Sequence, residues 1–138
     1  MESVCLPGTL EALPDVGAFV ARAAQKAGLD NHAAYKLRLA VDEIATNSVV
    51  HGYDRAGQEG DLSLTAELTA DRVIVILRES SPPYDPRQTP PPEDLDQPPD
   101  RRPAGGLGVY LALQGVDAFD YAYRKGQNCH TFVMNRTS

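Results

Sequence analysis

Glu43, Asn47 and His51 recur every fourth residue in the stretch LRLAVDEIATNSVVHGY, residues 37–53. On a helix, residues four apart are neighbours, so the spacing predicts a stripe of carboxylate, amide and imidazole on one face. A carboxylate can act as a general base. An amide carbonyl is a hard oxygen ligand of the kind Mg²⁺ accepts. The bland alternative is a solvated polar face, with His51 serving only as a favourable partner for the helix dipole. Gly52 follows at once and predicts the end of the helix.

Two further segments carry residue types suited to a ligand. Glu79-Ser80-Ser81-Pro82-Pro83-Tyr84-Asp85-Pro86 follows an apolar run and places two carboxylates and a phenol beside a proline turn. Its plainer reading is a strand that ends in a Pro-rich turn. Gly105-Gly106-Leu107-Gly108 precedes a short apolar segment. Glycines there would expose backbone N–H groups at a helix start, where anions are favoured; a flexible hinge is the alternative.

These three segments, in this order, resemble the GHKL, or histidine-kinase-like, ATPases, in the version carried by bacterial anti-sigma-factor serine/threonine-protein kinases. The resemblance runs from about residue 35 to the C-terminus. It rests on Glu43, Asn47 and His51-Gly52-Tyr53, on Tyr84-Asp85-Pro86, and on the GGLG box at residues 105–108. Glu79 stands where the family has Asp, and Ser81 where it has Gly. The resemblance implies ATP and Mg²⁺ as ligands. Asn47 would hold the metal and Glu43 would take the proton from a partner's serine. Glu79, with Ser81, Tyr84 and Asp85, would line the adenine end. Gly105, Gly106, Leu107 and Gly108 would hold phosphates beneath a lid. It further implies a STAS-type anti-anti-sigma factor or a sigma factor as partner, and a homodimer. A protein-binding module on the same fold, with weak or lost ATP binding, is the alternative that the Glu79 and Ser81 substitutions favour.

Around these segments the elements can be placed. Pro14-Asp15 suits a helix start, and the apolar positions Val16, Phe19, Val20, Ala23 and Ala24 carry it to a cap at Gly28. Asp30 or Asn31 caps the second helix. Residues 51–60 are rich in turn formers and predict a loop. Leu62, Leu64, Ala66 and Leu68 alternate with polar residues, and Val73–Leu77 is continuously apolar, so residues 61–78 predict an antiparallel hairpin. Residues 82–104 hold nine of the eleven prolines, together with Glu93, Asp94, Asp96 and Asp100, and predict a long exposed loop. In this reading it is the lid, with Arg101 and Arg102 its candidates for phosphate contact. Val109–Gln114 predicts a third helix. Residues 117–124 and 129–135 predict two more strands joined by a turn at 125–128. The expected architecture is an α/β (α+β) two-layer sandwich of the Bergerat type, a mainly antiparallel sheet with helices on one face, in one domain spanning residues 1–138.

Composition sets outer limits. The chain has 138 residues, 42% of them hydrophobic and 23% charged, which suits a single globular core. A net charge of −6 disfavours nucleic acid, whose phosphates require clustered Lys and Arg. No apolar run is long enough to span a bilayer, and residues 1–15 lack the features of a signal peptide. The expectation is a cytoplasmic protein. Cys5 and Cys129 have no metal-like spacing and read as free thiols.

Overall fold

The computed structural model describes residues 1–88 and 106–136, with only the backbone at Gln88, Gly106 and Leu107. Five strands form one antiparallel sheet in the order β1-β2-β3-β5-β4: β1 (Glu2–Pro7), β2 (Asp61–Leu68), β3 (Arg72–Glu79), β4 (Ala118–Arg124) and β5 (Gln127–Asn135). Helices α1 (Leu13–Lys26), α2 (Asn31–Asn47) and α3 (Gly106–Gln114) complete the fold.

Each helix begins and ends for local reasons. Pro14 lies in the first turn of α1, where its missing N–H costs nothing. Beyond Lys26 the chain reverses through Gly28 at φ 73°, a left-handed position that suits glycine. The Asp30 carboxylate accepts the Ala33 N–H at 2.7 Å and caps α2.

The hairpin follows its alternation. Leu62, Leu64 and Ala66 on β2 and Val73, Val75 and Leu77 on β3 are buried beneath the helices. Val16, Phe19 and Val20 of α1 and Leu37, Val41 and Ile44 of α2 meet them in one cluster. Full burial of a side chain such as Leu37 or Ile44 stabilises by roughly 1.5–3 kcal/mol relative to exposure. The N-terminal residues form the edge strand β1, paired with β2 from Glu2↔Ala66 to Pro7↔Asp61.

Three boundaries differ from the sequence reading. α2 does not stop at Gly52: after Asn47 it widens into a π-helical segment, Ser48–Asp54, and the chain stays helical to Ala56 before Gly57 turns it at φ 67°. Gly52 serves close packing instead, because a Cβ there would lie 2.6 Å from the Ser81 side chain. The turn between β4 and β5 shrinks to Lys125-Gly126, both at positive φ, the pairing favoured in two-residue hairpins. β5 therefore starts at Gln127 and takes in Asn128. Finally, α3 begins at Gly106, so Gly106 and Gly108 sit in its first turn rather than in a loop before it.

Candidate functional site

The site lies where α2 and its π-helical extension meet the end of β3, the head of β5 and the start of α3. Glu43 and Asn47 are half-buried, one turn apart in regular α-helix. Among the described residues, neither side chain has a hydrogen-bond partner, so their oxygens are free for a ligand. Gly108 packs directly on this helix: a Cβ there would lie 2.6 Å from Glu43 Oε2. Residues 65 positions apart in sequence are thus brought into contact by the docking of α3 on α2.

His51 leaves the stripe. It lies in the π-helical turns, where the i, i+4 register is lost. Its Nδ1 is 3.2 Å from Arg55 Nη2 instead. Tyr53, two residues on, ties the helix end to the end of β3. Its hydroxyl accepts the Ser80 N–H at 2.7 Å and donates to the Asp61 carbonyl at 2.8 Å.

Glu79 is the last inward-facing residue of β3 and is fully buried. Five donors converge on its carboxylate. Oε1 accepts from Ser81 N–H at 2.8 Å, Ser81 Oγ at 2.6 Å and Asn128 Nδ2 at 3.0 Å. Oε2 accepts from Ser48 Oγ at 2.6 Å and His130 Nε2 at 3.2 Å. Burial by itself would raise its pKa; the hydrogen bonds from His130, Ser48, Ser81 and Asn128 outweigh burial and hold it at about 2. Glu79 is therefore ionised, and His130 Nε2 faces it as a donor. That leaves His130 Nδ1 buried with no partner among the described residues.

Aromatic rings enclose this network. The Tyr84 hydroxyl shares a 3.1 Å hydrogen bond with Ser48 Oγ, and its ring lies 5.6 Å from that of His130. Tyr121 hydrogen-bonds Asn128 Oδ1 and lies 5.4 Å from His130 on another side. Burial, opposed by the Ser48 hydrogen bond, drives the Tyr84 pKa well above the usual phenol value. Asp85 is used locally: Arg87 grips it with Nε at 3.0 Å and Nη2 at 2.8 Å, and reaches Asp120 of β4 at 3.3 Å. The hydrogen bond from Arg87 lowers the Asp85 pKa despite its partial burial.

The fold thus joins Glu43, Asn47 and Gly108 at one end and Glu79, Ser81 and Tyr84 at the other, with Asp85 anchoring the chain beyond. Gly105, Arg101, Arg102 and the rest of the expected lid from residue 89 to 104 lie outside the described residues, as do the Leu107 side chain and any contact it makes. The sequence reading missed Ser48, Asn128 and His130. The signal for the last two was present: they keep the two-residue phase of Phe132 and Met134, so they had to face inward, and polar residues on an inward face call for partners.

The sequence profile of the histidine kinase-like ATPase domain matches residues 6–134. The chain belongs to this family. No curated protein matches the sequence. Among solved structures, two nucleotide-free forms of the catalytic domain of histidine kinase ThkA superpose with TM-scores of 0.58 and 0.57, at 17% and 16% identity. They cover 100% and 99% of this chain, and 100% and 99% of their own. The histidine kinase domain of the blue-light activated histidine kinase from Erythrobacter litoralis matches 88% of this histidine-kinase-like chain with a TM-score of 0.54 and 16% identity. This chain spans 61% of that structure's length. At such identities the likeness concerns the fold, the Bergerat-type α/β sandwich.

An ATPase-domain family implies ATP and Mg²⁺, and the residues present answer the two halves of that ligand differently. At the end expected to take metal and phosphate they fit: Asn47 and Glu43 offer oxygens with no partner among the described residues, and the glycine at 108 leaves room for the Glu43 carboxylate against the first turn of α3. At the base end the carboxylate expected to receive adenine is already surrounded by protein donors. Among the described residues no cluster of His, Cys, Asp and Glu suited to hold a metal by protein ligands alone is found, and no helix is long and apolar enough to cross a membrane.

Proposed function

We propose that this histidine-kinase-like domain binds Mg-ATP and acts as a serine/threonine-protein kinase of the anti-sigma-factor type, phosphorylating or sequestering a regulatory partner such as a STAS-type antagonist or a sigma factor. The observation that carries the reading is the close contact of Glu43 with Gly108, with Asn47 one turn further along α2. The Glu43 carboxylate lies against the first turn of a helix with glycines at 106 and 108. ATP, when bound, supplies the transferable phosphoryl group. Asn47 would offer its carbonyl oxygen to the magnesium ion. Glu43 would accept the proton of a hydroxyl brought against the same end. The first turn of α3 offers N–H groups to anionic oxygens. Phosphoryl transfer relies chiefly on positioning and charge neutralisation, so few side chains are needed.

A second reading has its own observation. Glu79 is saturated and Ser81 fills the space beside Gly52, which favours a non-catalytic module that binds a partner through the same scaffold. Calorimetric titration of ATP, with and without Mg²⁺, separates the two. Mg-dependent binding in the micromolar range, followed by phosphate transfer to a STAS-domain protein, is the expected result. No heat up to millimolar ATP overturns the kinase and leaves the module. The homodimer suggested by the resemblance is tested by light scattering on the same sample.

A further inference from the structure

We infer that this chain binds its nucleotide without reading the amino group of adenine, because Glu79 is a structural carboxylate rather than a base-recognising one. The inference rests on the nucleotide-binding reading above and concerns base selectivity at that site.

A carboxylate has about four lone-pair positions. Glu79 receives five protein donors, from Ser48, Ser81 (main chain and side chain), Asn128 and His130. It is 0% exposed, as are Ser48, Asn128 and His130, and Ser81 is 1% exposed. No oxygen remains for an incoming N–H donor. An amino group could be accepted only by expelling one of these donors. Ser48 Oγ and Asn128 Nδ2 also reach the Ile44 and Ser81 carbonyls, but the Ser81 N–H and His130 Nε2 have no other acceptor among the described residues and would be left buried and unpaired.

The two positions that depart from the family pattern act together in this. Glu is one methylene longer than Asp, and Glu79 reaches both Ser48 on the π-helical turn and His130 on β5. Ser81 supplies two of the five donors, and its Cβ and Oγ sit where any side chain at position 52 would have to go, 2.6 Å from the ideal Cβ of Gly52. Tyr84 caps the assembly through Ser48. Of the polar groups gathered on Glu79, only His130 Nδ1 lacks a partner among the described residues.

Selectivity follows from the saturation of Glu79. A site that hydrogen-bonds a ligand's N–H strongly rejects an analogue lacking it, because its own acceptor is then left bare. Here the acceptor is satisfied whether or not a base is present. Replacing the amino group with a carbonyl should therefore cost little.

The test is calorimetric titration of the full chain with Mg-ATP and with Mg-ITP, whose base carries a carbonyl in place of the amino group. Affinities within about fivefold of each other are expected; an ATP preference well beyond that, toward the roughly 10⁴–10⁵-fold of a site built to hydrogen-bond the missing group, overturns the inference. The double substitution Glu79→Asp with Ser81→Gly removes one methylene and one donor. It is expected to create an ATP preference of tenfold or more. A folded double variant that stays indifferent would remove Glu79 and Ser81 as the cause. Should the double variant not fold, the wild-type comparison alone decides. Should wild-type protein bind neither nucleotide, the nucleotide reading falls and this inference with it, an outcome distinct from tight ATP binding with ITP excluded.

Discussion

Glu43 and Asn47 share a helix face but have separable roles, and their truncations should part. Asn47→Ala removes the proposed metal ligand and is expected to weaken Mg-ATP binding tenfold or more while leaving Mg-free binding unchanged, as read by calorimetry. Glu43→Ala keeps nucleotide affinity but should lower phosphate transfer by about 10²–10⁴-fold, the usual contribution of a general base. Gly52 and Ser81 form a second pair. A methyl at 52 would lie 2.6 Å from Ser81 Cβ, so Gly52→Ala should destabilise by about 1–3 kcal/mol. Combined with Ser81→Gly it should recover part of that loss. Denaturant unfolding of the two singles and the double closes the cycle, and simple additivity would mean the two residues do not press on each other.

At the scale of elements, the placement of α3 on α2 matters more than the propensity of either helix. Gly108 occupies the first turn of α3, where alanine is the better helix former by about 1 kcal/mol. The obstacle to alanine is the end of a flexible Glu43 side chain, which can swing aside. Gly108→Ala is therefore expected to leave thermal stability unchanged or raised while phosphate transfer falls, because Glu43 is displaced from its position. A drop in melting temperature together with full transfer would contradict this. The π-helical turn after Asn47 is an element of similar weight. It brings Ser48 to Glu79 and Tyr53 to Ser80, so the helix and the end of β3 are joined at two points.

For the whole molecule, the Glu79 network couples stability to acidity. The folded-state pKa of Glu79 is about 2, below its ordinary value of 4.5. Ionised Glu79 thus stabilises the fold at pH above 4.5, and this contribution is lost as pH falls from 4.5 through about 2. The amount is on the order of 3 kcal/mol. Asp42 acts with opposite sign: burial raises its pKa, so protonation relieves rather than harms the fold. Urea midpoints measured between pH 5 and pH 2 should fall steeply, and Glu79→Gln should be less stable at neutral pH with a shallower acid slope. An unchanged slope would show that the carboxylate is not the group responsible.

Much of this molecule was legible in order along the chain. Alternation in residues 61–68 and the apolar run 73–77 determined a hairpin, and periodicity with Asp30 and Gly28 bounded α1 and α2, because these are local properties of backbone and side-chain spacing. The candidate residues Glu43, Asn47, Glu79 and Tyr84 could be named for the same reason: each belongs to a short segment with its own pattern. The sequence by itself determined which chemical groups are present and on which element each one rides. What they touch was decided only by tertiary structure. The extension of α2 beyond Gly52, the inclusion of Gly106 and Gly108 in α3, and the recruitment of Asn128 and His130 to Glu79 all depend on packing between segments 30 to 70 residues apart. Local preferences carry no information about such contacts, and it is these contacts that leave Glu43 and Asn47 free and Glu79 fully engaged.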